Sequence, residues 1–101
     1  MNDKVLSLLG LCRRANKLVF GYDMTVKSLK EKKTFLILLT DDVSIHTESD
    51  IRKEAEKENV KVIKTKYFKE DMDMSISKYT AVLSILDEGF SKKLESLLKD
   101  N

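Results

Sequence analysis

No proline occurs in the 101 residues, glycine is confined to three positions, and cysteine and histidine appear once each. Without proline, the breaks between elements rest on Gly10, Gly21, Gly89 and on Asn, Asp and Ser residues. A lone cysteine excludes an internal disulfide and suits a reducing compartment. Cys12 falls on the apolar face of a helical pattern and reads as a small core residue. His46 opens a polar helical pattern, where a surface imidazole is the ordinary occupant. No Cys/His cluster has metal-ligand spacing, and no nucleophile has a neighbouring base. Neither GxGxxG nor GxxxxGK is present, so a glycine-rich phosphate loop is lacking.

Long apolar runs are also missing. The longest, Phe35 to Leu39, is far short of the ~20 residues that span a bilayer. The start, MNDKVLSLL, has no basic n-region and no small-residue cleavage site, so no secretory signal is expected. Repeats, low-complexity tracts and Pro/Gly/Ser linkers are absent, which favours a single domain over residues 1–101. These absences point to a cytoplasmic protein off the membrane, with no catalytic residue, no metal and no cofactor.

What is present is charge, 36% of the residues, set against 42% hydrophobic. That balance describes a charged globule with one layered core. The net charge of +2 is unevenly placed: residues 1–33 hold eight basic and three acidic side chains, and the remaining 68 hold eleven and fourteen. A molecule polarised in this way can offer a cationic face to a polyanion.

Helical and extended patterns alternate. Val5, Leu6, Leu8, Leu9, Leu11, Cys12 and Ala15 predict a first helix ending near Asn16, and Lys17 to Phe20 a short extended piece stopped by Gly21. Tyr22, Val26 and Leu29 are spaced as the core face of a second helix. Thr34 to Thr40 reads as a strand buried on both faces. A polar helix to about Glu58 follows, with Ile45, Ile51 and Ala55 inward, and then the strand VKVIKT. A short helix holding Phe68 and Met72, a strand over Thr80 to Leu86, and a last helix with Phe90, Leu94, Leu97 and Leu98 complete the pattern. The alternation predicts a three-layer α/β/α sandwich.

Two places invite chemistry. Asp41-Asp42 and Asp87-Glu88 each follow a buried strand, where paired carboxylates can hold Mg²⁺ in an enzyme. Alternatively, Asp42 or Ser44, and Asp87, cap the helices that follow, which accounts for both pairs without a metal. The other place is FGYDMTVKSLKEKK, Phe20 to Lys33. A helix starting after Gly21 exposes unpaired N–H groups and its positive dipole end. It turns Asp23, Lys27 and Lys30 outward, with Met24 between the faces and Arg13, Arg14 and Lys17 just before. Lys27 can reach a phosphate or a guanine edge, Asp23 can accept from base amino groups, and Met24 can pack on an extruded base. From the residues alone, an RNA grip and an ordinary amphipathic helix with solvated lysines both fit.

The segments LLGLCRRANKLVFG, TFLILLTDDVS and AVLSILDEGFSKKL, with Lys27 between the first two, resemble the bacterial YlxQ-type proteins. These are small relatives of archaeal ribosomal proteins that bind kink-turns, and the resemblance covers nearly the whole chain. It implies a single-domain α/β/α sandwich with a four-stranded mixed sheet. It also implies a non-catalytic, monomeric binder of structured RNA, ribosomal RNA above all, rather than DNA. The family signature at the second helix is Gly-x-Asn-Glu-x-x-Lys. Gly21 and Lys27 match it, while Asp23 stands for Asn and Met24 for Glu, the pair that reads sheared guanines in archaeal members. The resemblance places a second contact loop at Ile76, Ser77, Lys78, Tyr79 and Thr80; Tyr22 and Lys30, on the same helix as the signature, are expected to join the RNA-binding set. Some relatives are protein-interaction modules instead, a role the acidic helix Thr47 to Glu58 would serve.

Overall fold

Asp3 has extended backbone angles, and its carboxylate accepts hydrogen bonds from the N–H groups of Val5 and Leu6, which starts α1 (Lys4–Arg14). The structure, a computed structural model, describes residues 3–99. After α1, Asn16 at φ 59° reverses the chain into β1 (Leu18–Phe20). The remaining elements are α2 (Tyr22–Lys30), β2 (Leu36–Leu39), α3 (Ile45–Lys57), β3 (Lys61–Lys64), α4 (Lys69–Ile76), β4 (Val82–Ile85) and α5 (Glu88–Lys99). The order of elements matches the sequence pattern; each strand is one or two residues shorter at its ends.

The sheet runs β1-β4-β2-β3 and is mixed: β4 is antiparallel to both β1 and β2, and β2 is parallel to β3. Alternation along β2 sends Leu36 and Leu38 to one core and Ile37 and Leu39 to the other. The first core is covered by α1, α4 and α5, the second by α2 and α3. This is the expected three-layer sandwich. Gly10 permits the close approach of α1 and α4, because a Cβ there would lie 3.2 Å from the Ser75 carbonyl oxygen.

Four residues expected on core faces, Leu11, Ala15, Tyr22 and Ile45, face outward instead, and Phe68 stands outside the helix expected to hold it. Tyr22 is 40% exposed, since the buried side of α2 is Thr25, Ser28 and Leu29, with Val26 only partly covered. Ile45 is 87% exposed, because α3 begins at that residue, beyond the sheet, and its inner face is Ile51 and Ala55. Phe68 sits ahead of α4 as its cap, with the backbone accepting from Asp71 N–H and donating to the Asp71 carboxylate.

Asp3 does a second task. The buried Tyr67, in the turn after β3, donates its hydroxyl to the same carboxylate at 2.8–2.9 Å. Burial alone would raise the Asp3 pKa, but the Leu6 N–H, the Tyr67 hydroxyl and the Val5 N–H together hold it below the ordinary carboxylate value. Because the folded pKa is the lower one, the Asp3 contribution is complete above the unfolded pKa and is lost as pH falls through the folded value. Asp3→Ala removes a helix cap worth about 1 kcal/mol and orphans a buried hydroxyl for about 1–3 kcal/mol more. Urea titrations are expected to show that loss at neutral pH and a narrowing of the gap between variant and parent as Asp3 becomes protonated, below the ordinary carboxylate range.

Candidate nucleic-acid interface

Antiparallel pairing of β1 with β4 sets Phe20 beside Leu83, and the Gly21 N–H continues the ladder to the Val82 carbonyl at 2.9 Å. The end of β1 therefore meets the start of β4, and the segment leading into β4 lies against the start of α2. Gly21 has φ 88° and ψ 164°, a region open essentially to glycine alone. No side chain caps α2, so its first N–H groups face outward with the positive end of the helix dipole. Nothing lies within 4 Å of a Cβ placed on Gly21, which leaves the surface there clear for a partner.

Asp23, Met24, Lys27 and Lys30 are all exposed on α2. Among the described residues neither Lys27 nor Lys30 enters an ion pair. The contrast with α3 is direct. There, Glu48 binds Arg52 at 3.0 Å and Lys64 at 3.3 Å, Glu54 binds Lys57, and Asp50 meets His46.

Two distant segments converge on Phe20. The Arg13 guanidinium carbon lies 5.1 Å from its ring centroid and the Lys78 ammonium 5.5 Å. One Arg13 nitrogen is buried with no hydrogen-bond partner among the described residues. Next to Lys78, Tyr79 is 64% exposed, with the Lys69 ammonium 5.9 Å from its ring. Ser77, at φ 60°, ends α4 and turns the chain outward into this pair. The sequence pattern does not reveal Phe20 and Lys69; only the β1–β4 pairing and the docking of α4 bring them here.

Other expected positions fall elsewhere. Ile76 is 2% exposed within the core beside α1, so its side chain cannot form part of the surface. Tyr22 lines a groove with Asp50, Lys53, Glu54 and Lys57, on the side of α2 that faces α3. Lys17 precedes Leu18 at the opposite end of β1, about 13 Å of strand from Gly21. Arg14 is exposed and reaches back along α1 toward Gly10.

The carboxylate pairs do not meet. Since β4 runs antiparallel to β2, Asp41-Asp42 and Asp87-Glu88 leave the sheet at opposite ends. Ser44 caps α3 and Asp87 caps α5, while Asp42 accepts from the Lys69 N–H at the start of α4. Among the described residues no three His, Cys, Asp or Glu side chains are grouped to hold a metal. Burial pushes the Cys12 thiol up to about 12, so it stays protonated.

Fold and terminus together define a small α/β/α protein that presents a glycine-led, cationic helix end beside an aromatic loop. The chain belongs to the ribosomal protein L7Ae/L30e/S12e/Gadd45 family, matched over residues 3–95, and within it to the YlxQ type. The RNA-binding protein YlxQ of Bacillus subtilis (strain 168) is 35% identical over 96 residues, 90% of this chain and 91% of its own. The Enterococcus faecium protein of the same name is 26% identical over 97 residues, 96% of this chain and 93% of its own. A protein with unknown function from Bacillus halodurans C superposes with a TM-score of 0.89 at 31% identity, covering 95% of this chain and 97% of that one. The Giardia lamblia 15.5kD RNA binding protein shares the fold, with a TM-score of 0.77 at 16% identity over 99% and 89% of the two chains.

The backbone at Gly21 gives a test that needs no ligand. Gly21→Ala meets no steric obstacle, yet must hold an L-residue at φ 88°. It is expected to lose about 1–3 kcal/mol in a urea titration; an unchanged midpoint would show that the turn relaxes freely.

Proposed function

We propose that this protein binds structured RNA, without catalysis, through the start of α2 and the loop that leads into β4. The observation that carries the reading is the unpaired Lys27 on a helix led by Gly21, set beside the Phe20 ring that gathers Arg13 and Lys78. The two YlxQ relatives, named as RNA-binding proteins, support it. In this reading the α2 N–H groups and Lys27 meet phosphates and a base edge, Asp23 accepts from base amino groups, and Met24 packs on an unstacked base. Arg13, Lys30 and Lys78 neutralise flanking phosphates, Tyr79 supplies a stacking face, and Ser77 shapes the loop. Arg14 and Lys17 serve a longer backbone path along α1 and β1. The working context is the cytoplasm, with the chain acting as a monomer on ribosomal RNA. An interaction role for α3 is not favoured, because Glu48, Arg52, Glu54 and Lys57 on it are already held in ion pairs.

Lys27→Ala is expected to weaken binding to a bent, internally looped RNA stem by about 1–3 kcal/mol and to reduce the salt slope by about one. Unchanged affinity in fluorescence-anisotropy titrations would remove Lys27 from the site. The double substitution Asp23→Asn, Met24→Glu restores the amide and carboxylate of the family signature. It is expected to raise affinity for a kink-turn with tandem sheared G·A pairs about tenfold or more over a straight duplex. Equal affinity of parent and variant for that kink-turn would assign recognition to other side chains.

A further inference from the structure

Phe20 is the last residue of β1, and alternation along the strand puts its ring on the same face of the sheet as Leu18. The first core lies on that face, and the ring packs against it, partly buried. Arg13 belongs to the last turn of α1, and Lys78 lies two residues beyond the end of α4. Both charged ends come to rest over this one ring, at 5.1 and 5.5 Å from its centroid. Among the described residues neither cation enters an ion pair, and one buried Arg13 nitrogen lacks an acceptor. The ring is the contact that the two charges share. It differs from Tyr79, which is 64% exposed and open to a base. Core on one side and cations over it leave Phe20 as a support for other groups.

We propose that Phe20 is a positioning residue for RNA binding, a role that rests on the RNA reading of this surface and adds to it a side chain that touches no RNA. Its ring holds Arg13 and Lys78 in the arrangement in which they meet the RNA backbone. Long cationic side chains that are free in the unbound protein lose rotamer freedom on meeting a phosphate, and affinity falls accordingly. Held on the ring beforehand, these two have less to lose. The ring attracts a cation through its quadrupole and sets no opposite charge against the incoming phosphate. It also ties the loop that leads into β4 to the end of α1, so the two cationic segments keep one spacing.

The test is a set of fluorescence-anisotropy titrations of the full chain with a bent, internally looped RNA stem. Phe20→Leu keeps an apolar side chain against the core and removes the ring, and Phe20→Met does the same with an unbranched chain. Both are expected to weaken binding about fivefold or more, through freedom returned to two side chains. Phe20→Tyr retains a ring face and is expected to stay within about twofold of the parent. Arg13→Ala combined with Lys78→Ala removes what the ring holds. In that background Phe20→Leu is expected to bring no further loss, because its effect passes through those two partners. A merely structural role would not give this pattern, since a distorted strand end loses affinity in either background. Circular dichroism checks that each variant is folded. The proposal is overturned if Phe20→Leu and Phe20→Met bind like the parent, or if Phe20→Tyr falls as far as they do. It is equally overturned if Phe20→Leu costs the same factor in both backgrounds. Each of these results leaves the RNA reading standing, because the parent binds. A parent that does not bind the stem overturns that reading and the role of Phe20 with it.

Discussion

Beneath α2, the hydroxyls of Ser28, Thr34 and Ser84 close a buried ring with contacts of 2.7, 2.9 and 2.9 Å. Ser28 also donates to the Thr25 carbonyl at 2.9 Å. Three hydroxyl hydrogens thus face four contacts, so one ring contact is shared rather than fully made. Leaving any of these groups unsatisfied in the core costs about 1–3 kcal/mol. A purely apolar helix face can slide or roll on a sheet at little cost, whereas this ring closes in one register only. It joins α2 to β4, the strand that also holds β1 and continues from the second loop. The orientation of Lys27 and Asp23 relative to that loop follows from it.

The same ring explains where the sequence misleads. Tyr22, Val26 and Leu29 have the spacing of a core face, but the buried stripe of α2 is turned roughly 70° from theirs, toward Thr25 and Ser28. Apolar periodicity cannot anticipate a core face made of hydroxyls, since polar residues normally mark the solvent side. Where apolar content was unambiguous the pattern held: Leu36 to Leu39 and Val82 to Ile85 are buried throughout, and the sandwich follows from them. The outward face of α2 was legible as well, since Asp23, Lys27 and Lys30 share a helical spacing whichever neighbour the helix has. Ile76 misled for the opposite reason. Its position in a contact loop suggested exposure, but it ends α4 on the side facing α1 and completes that core.

Burial also separates the cations into two populations. On α3 and β3, Arg52, Lys57, Lys61 and Lys64 sit within ion-pair distance of carboxylates, and their fields largely cancel. Around Gly21, Arg13 and Lys78 rest on an aromatic ring instead. A ring face holds a cation in place without neutralising it. The charge stays available to a phosphate, and less side-chain freedom is left to lose when one arrives. A carboxylate in place of Phe20 would fix the same two side chains and cancel their charge.

Convergence of these groups depends finally on strand direction. Phe20 and Lys78 are far apart in sequence, and β1 is only three residues long. Antiparallel pairing places the end of β1 beside the start of β4, so Gly21 and residues 77–80 share one rim. Had β1 run parallel to β4, the start of α2 would lie at the end of β4, near Asp87, with the length of a strand, about 13 Å, between it and Lys78. The same rule that joins these two loops separates the two carboxylate pairs, because β4 also opposes β2. One antiparallel strand therefore brings Gly21 and residues 77–80 to one rim of the sheet, which Asp41-Asp42 shares, and sends Asp87-Glu88 to the other.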